Sequence, residues 1–309
     1  MISIFQQPFF YRFLETTEFL DPFRFSVVRD GREVGVIQGF IQKEGGPIKR
    51  FFSRRAIVNG SPYLSEDIRD EEVEDLLLKC RNGLRGEAIY LETRNFADYS
   101  RFRPVFEKQG FIYHPHYDLY LDTSNPELTD ARIGKSRKRD VRSSLNHGVS
   151  LTESPTEAEV IAFYSLVKEL YHDKVKTPLF PLGFFLQLWQ SSFSKFILVK
   201  YQEEIIGGTV CVHDDDTVYE WFVCGKDGVY KNVFPSTVAT YYGIRFAAEH
   251  GFKRFDMMGA GAPGDGGYGV REFKAKFGGE LVEYGRFVYV CSKPLYYIGK
   301  AAVSLMKKL

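Results

Sequence analysis

Apolar and polar positions alternate along residues 23–31 (FRFSVVRDG) and 33–42 (EVGVIQGFIQ), and the two runs meet at Asp30-Gly31. A period of two sends successive side chains to opposite faces of a strand. Asp-Gly suits the left-handed positions of a tight turn, so the segment predicts a β-hairpin. The pattern then changes. Residues 71–81 predict a helix ended by Asn82-Gly83, AIYLETR (88–94) a buried strand, Tyr99 to Gln109 a helix stopped at Gly110, and Phe111 to Asp122 a further strand.

The same grammar returns after residue 149. VSLTE (149–153) is followed by a helix from about Thr156 to Tyr171, strands FILVKY (196–201), IIGGTVCVH (205–213) and TVYEWFVC (217–224), and a helix from Pro235 to His250. A short strand KRFDMM (253–258), a glycine-rich loop, a helix around Val270 to Phe277, a strand LVEYGRFVYV (281–290) and a basic terminal helix from Pro294 complete the chain. FEKQGFIY (106–113) and AAEHGFKRF (247–255) share a helix, Gly-Phe, strand order. Together with the matching element order, this favours a duplicated α/β unit. Ser124 to Lys135 is polar and contains Pro126, which reads as a linker. The expected organisation is a subdomain over 1–125, a linker and basic helix over 126–148, and a second subdomain over 149–309.

Composition narrows the class. At 309 residues with 44% hydrophobic and 16% aromatic side chains, one large or two packed domains are expected. Forty-one Lys and Arg stand against 40 Asp and Glu, so no general field draws the chain to nucleic acid, and any polyanion must meet a local patch. Cys80, Cys211, Cys224 and Cys291 lie far apart without a CxxC pair, which points to neither zinc nor a disulfide framework. The opening MISIFQQPFFYRF lacks the features of a signal peptide, and no apolar run approaches the roughly 20 residues of a membrane span. A cytoplasmic location is the default expectation.

Two clusters carry candidate chemistry. GKSRKRDVRSSLNHGV (134–149) is the one dense basic run. At helical spacing Lys135, Arg139 and Arg142 share a face that suits phosphate, or else a solvated surface, while Val141 and Leu145 are expected inward. FKRFDMMGAGAPGDGGYGVREFKAKFGG (252–279) places Asp256 at a strand end before a loop containing Gly259, Gly261 and Tyr268. Such a loop admits a substrate close to the backbone and offers amide donors. Lys274 and Lys276 are two apart, so only one faces the loop. Acyl transfer to an amine develops an oxyanion, and Lys274, between Phe273 and Phe277, is the candidate cation, against the plainer reading of a lysine snorkelling over a core edge. Glu220 lies within an apolar strand, where burial would raise its pKa and make it a base toward the amine, unless it faces solvent. His114, His116 and His172-Asp173 read as ordinary residues. PLYYIGKAAVSLMKKL at the C-terminus reads as a helix packing on its own domain, with a peripheral anionic membrane surface as the second choice.

RDVRSSLNHGV (139–149), AAEHGFKRFDMMGA (247–260), FKAKFGG (273–279) and residues 92–122 together give the chain a likeness. It resembles the FemA/FemB/FemX-like family of peptidoglycan-bridge aminoacyltransferases, tandem acyltransferases of the GNAT superfamily. The resemblance implies an α/β (α+β) fold of two GNAT-like subdomains, each a mixed sheet flanked by helices, without a coiled-coil arm. It further implies a cytoplasmic transferase in cell wall biogenesis, moving an aminoacyl or acyl group to an amine of an envelope precursor. No cofactor is permanently bound and no metal is used; aminoacyl-tRNA, or alternatively acyl-CoA, is the donor. Phe273 and Lys274 match the residues that hold donor and oxyanion, and Arg139 and Arg142 match the basic helix; from the residues themselves, Glu220 is the candidate base and Lys135, Gly259, Gly261 and Tyr268 join Arg139 and Arg142 as candidate substrate-binding residues. Where an acetyl-CoA-using member carries Arg/Gln-x-x-Gly-x-Gly/Ala, this chain has GKDGVYKNVFPS (225–236). A non-catalytic module that binds nucleic acid or another anion is the third reading.

Overall fold

The computed structural model describes residues 2–18, 20–43, 47–175, 177–265 and 269–306. The chain forms two compact units, Met1–His116 with Glu283–Leu309, and Tyr117–Val282. The first unit holds strands β1 (Leu20–Arg29), β2 (Arg32–Gln42), β3 (Arg55–Asn59), β4 (Tyr63–Leu64), β5 (Tyr90–Arg94) and β6 (Ile112–His114). The second sheet is built from β7 (Tyr117–Asp122), β8 (Ser150–Thr152), β9 (Ser194–Tyr201), β10 (Glu204–His213), β11 (Thr217–Gly225), β12 (Arg254–Asp256) and β13 (Glu280–Glu283). The last strand, β14 (Arg286–Val290), returns to the first sheet.

The sheet orders are β1-β2-β3-β5-β14-β6, with β4 on β2, and β13-β7-β12-β11-β10-β9-β8. Parallel pairs stand inside each, β3 with β5 and β11 with β12. Beyond each parallel pair lies a strand from the other part of the sequence: β14 beside β5, and β7 beside β12. The two runs expected as single strands, 111–122 and 281–290, are where this exchange happens. Pro115 and His116 divide the first, Tyr284 and Gly285 the second, and the halves of each run enter different sheets. Proline has no N–H to donate to a ladder, so a run containing Pro115 cannot continue as one paired strand. The compact units therefore divide near residues 116 and 283, away from the expected boundaries near 125 and 149.

Local signals explain the flanking helices. The expected linker is instead the helix Pro126–Arg132, with Asn125 as N-cap: its Oδ1 accepts from the Leu128 N–H at 3.0 Å. The duplicated Gly-Phe pairs close their helices identically. Gly110 (φ 84°) and Gly251 (φ 82°) take the left-handed position, and Phe111 and Phe252 donate to the carbonyls of Phe106 and Ala247, each at 3.0 Å. In the second unit helices Glu157–Leu170 and Pro235–Glu249 both pack on β10 and β11. Ile244 of the second of these helices shares a core with Cys211, Val218, Phe255 and Phe277. A side chain as fully buried as Phe255 or Phe277 contributes about 1.5–3 kcal/mol. In the first unit, Phe287 of the returning β14 stacks on Phe106 at 4.2 Å.

Candidate active site

Strands β11 and β12 are paired only from Thr217 to Tyr219, with Tyr219 opposite Asp256. From Glu220 to Gly225, β11 continues along β10, while the chain after Asp256 turns toward β7. There Met257 N–H donates to Leu119 O (2.9 Å), Ala260 N–H to Tyr117 O (2.8 Å), and Tyr117 N–H to Gly261 O (2.7 Å). A parallel pair thus opens into a splay, with the β11 edge on one side and the loop 257–261 on the other. A bulge lies at the opening: Phe222 pairs with Val210 but Glu220 with Cys211, leaving Trp221 as the extra residue. Bulges of this kind twist a strand and re-aim its side chains.

The short helix Gly269–Ala275 holds the loop in this course. Lys274 is 7% exposed, and its Nζ donates to the carbonyls of Met257 (2.5 Å), Met258 (3.0 Å) and Gly259 (2.9 Å). An ammonium has three hydrogens, and all three are engaged. This differs from the expected oxyanion-facing role, because no donor remains for a substrate; Lys274 acts on the loop backbone. Arg271, one helical turn earlier, donates to Ala260 O and Ala262 O, each at 2.8 Å, and pairs with Asp265 at 2.7 Å. With these carbonyls held, the N–H groups of Gly259 and Gly261 have no hydrogen-bond partner among the described residues.

Lys274 sits among three buried carboxyls. Burial lowers its pKa, and Glu220, Asp118 and Asp256 act in the opposite direction. Glu220 is 4% exposed. Its Oε1 accepts from Thr240 Oγ1 at 2.8 Å and Thr209 Oγ1 at 3.3 Å, and Oε2 has no partner among the described residues. Burial raises its pKa, opposed by Lys274 and the threonine hydroxyls. Asp118 of β7 rises well above the carboxylate range through burial and the neighbouring Asp256 charge. Asp256 is also raised by burial, against the Arg254 guanidinium 2.8 Å from its Oδ2; its Oδ1 receives the Met258 N–H. Asp118, Arg271 and Arg254 were not expected from sequence. Arg271 had a signal, since its spacing of three from Lys274 puts both on one helix face.

The other expected residues fall as follows. Phe273 is half-buried, edge-to-face with Phe277 at 5.4 Å. Arg137 of the basic helix Lys135–Asn146 lies 4.4 Å over its ring and donates to its carbonyl and to Thr237 Oγ1, each at 3.2 Å. Lys135, Arg139 and Arg142 are exposed, Arg139 beside Asp140 at 3.3 Å. Val141 is buried as expected, whereas Leu145 is 37% exposed, because the following Gly148-Val149 turn fills the inward position with Val149. Lys276 is exposed, so Lys274 is the lysine that meets the loop. Tyr268 lies outside the described residues. At the N-terminus of helix Pro235–Glu249 the Ser236 N–H donates to Asp227 Oδ1 at 3.3 Å, so the chain's own carboxylate stands at the end of the helix dipole that would otherwise favour a phosphate.

The splayed parallel pair, twice-occurring sheet order and flanking helices define a tandem protein of the GNAT fold. A tandem GNAT protein from the clavulanic acid biosynthesis pathway matches with a TM-score of 0.60 at 11% identity, covering 90% of this chain and 85% of that one. L-PGS from Bacillus licheniformis matches with a TM-score of 0.60 at 16% identity, covering 97% of both chains. Residues 189–304 match the model of the FemAB family, and a crystal structure of FemX matches with a TM-score of 0.70 at 14% identity, covering 96% of this chain and 94% of that one. Over residues 189–304 the chain is similar to the FemAB family. No curated protein matches it in sequence. Among the described residues no helix is long and apolar enough to cross a membrane.

Proposed function

We propose that the second unit transfers an activated aminoacyl group to an amine of a cell-envelope precursor of the peptidoglycan type, with the donor ester seated in the splay between β11 and the loop 257–261. The observation that carries this reading is the opening itself. β11 has no β12 partner beyond Tyr219, the loop 257–261 leaves the N–H groups of Gly259 and Gly261 without a partner among the described residues, and the buried Oε2 of Glu220 is likewise unpartnered. The amine nitrogen attacks the ester carbonyl, whose oxygen becomes an oxyanion held by those loop amides. A carboxylate with a raised pKa is suited to receive the amine proton, and Glu220 then returns it to the departing ribose oxygen. Lys274 and Arg271 keep the loop carbonyls turned away, so that amides rather than carbonyls line the opening. Lys135, Arg139 and Arg142 offer the donor nucleic acid an exposed cationic face.

Aminoacyl-tRNA is favoured over acyl-CoA because Asp227 stands at the helix N-terminus where a diphosphate would be received. Single-turnover assays with matched aminoacyl-tRNA and acyl-CoA donors and a peptidoglycan-precursor amine test the reading. Product from the tRNA ester is expected. Transfer from acyl-CoA alone would move the protein to the CoA-dependent class. Absence of turnover with either donor, together with binding that falls steeply with salt, would make it a binding module.

A further inference from the structure

Two helices of the first unit expose apolar side chains among cations. Pro47–Ser53 (PIKRFFS) leaves Phe51 49% and Phe52 47% exposed, their rings edge-to-face at 5.2 Å. Lys293–Met306 (KPLYYIGKAAVSLM) leaves Tyr297 65% and Ile298 55% exposed. The two helices pack against each other. The second is fastened to the sheet on one side: Tyr296 meets Tyr90 of β5 edge-to-face at 5.6 Å, and the N–H groups of Cys291 and Ser292 donate to Ile89 O at 2.9 and 3.0 Å. Tyr297 and Ile298 are left outward.

The charged residues that the two helices themselves carry have one sign. Neither described helix contains an Asp or Glu, in a chain that has 40 of them. Arg50, Lys293 and Lys300 lie on the two helices, and the Arg54 guanidinium stacks over Phe51 at 4.6 Å. Water is a poor neighbour for four exposed large apolar side chains gathered on two touching helices. Aromatic rings beside Lys and Arg suit the headgroup level of a membrane, where rings enter the acyl boundary and cations meet phosphates.

We propose that this face docks on an anionic lipid surface, with Phe51, Phe52, Tyr297 and Ile298 at the acyl boundary and Arg50, Arg54, Lys293 and Lys300 on lipid phosphates. The surface belongs to the first unit and stands independently of the acyl-transfer reading of the second. Co-sedimentation of the full chain with phosphatidylglycerol/phosphatidylcholine vesicles and with pure phosphatidylcholine vesicles tests it. Binding to the anionic vesicles alone is expected, weakening about fivefold for each of Lys293 and Lys300 changed to Gln. Phe51→Ser/Phe52→Ser is expected to weaken it roughly tenfold or more with an unchanged circular dichroism spectrum. The proposal is overturned by failure to bind anionic vesicles, by equal binding to neutral ones, or by wild-type binding of the double Phe variant. A concentration-dependent dimer that the double variant abolishes, without vesicle binding, would likewise overturn it and assign the face to a second copy of the chain.

Discussion

Lys274 is where residue type and residue role part most clearly. A Phe-Lys pair beside a glycine loop suggests a cation aimed at substrate, yet the three carbonyls of Met257, Met258 and Gly259 take all of its hydrogens. Sequence marks the residue but not its target, because the target is backbone and backbone carbonyls have no letter. Lys274→Met leaves those carbonyls and the Glu220, Asp118 and Asp256 carboxyls without their cation, a change that costs about 3–5 kcal/mol when a buried charge is left unpaired. Guanidinium unfolding of the variant measures it. Asp118 itself escaped notice because a single Asp in an alternating strand reads as a solvent-facing position. Glu220 gives a pH test. Burial raises its pKa, so the folded state holds its proton more tightly than the unfolded chain, and stability falls as pH rises from the ordinary carboxylate range through the raised value. Glu220→Gln removes that fall. Its melting temperature relative to wild type therefore increases from pH 4 to pH 8; a difference that stays constant contradicts the assignment.

At the scale of elements, the hairpin at Asp30-Gly31 and, apart from the unexpected helix Leu182–Trp189, the order of elements from residue 149 to residue 277 were legible because each follows from periodicity and a local stop signal. The exchanged strands were not. The run 111–122 has strand character throughout, and nothing local says that Ile112–His114 and Tyr117–Asp122 join different sheets. The helix Pro126–Arg132 was hidden for a related reason: its polarity resembles a linker, and only the Asn125 cap distinguishes it. The FKAKFGG motif, read as chemistry, is in large part packing. Gly278 sits at φ 82°, and a Cβ there would come within 2.1 Å of Arg132 O. Gly148 has φ 90° but open space around it. Gly278→Ala is thus expected to cost well over the roughly 1 kcal/mol of Gly148→Ala, which carries backbone strain alone. Urea midpoints of the two variants compare them.

At the scale of the molecule, the chain was readable as two similar α/β halves but not as two separable ones. β14 lies between β5 and β6 and supplies Phe287 to the first unit's core. A fragment of residues 1–125 lacks that strand and is expected to give no cooperative thermal transition. Fusing residues 283–309 to residues 1–116 restores one, as followed by circular dichroism; a cooperative 1–125 fragment would contradict this. In the other unit, the proposed acyl transfer in the splay beside Glu220 is open to a direct test. Single-turnover transfer from aminoacyl-tRNA to a peptidoglycan-precursor amine, wild type against Glu220→Gln, addresses it most directly. Product is expected from the wild type, with a fall of about a hundredfold or more in the variant, the usual loss on removing a general base, and an unchanged circular dichroism spectrum. A variant that turns over at the wild-type rate would place the chemistry elsewhere.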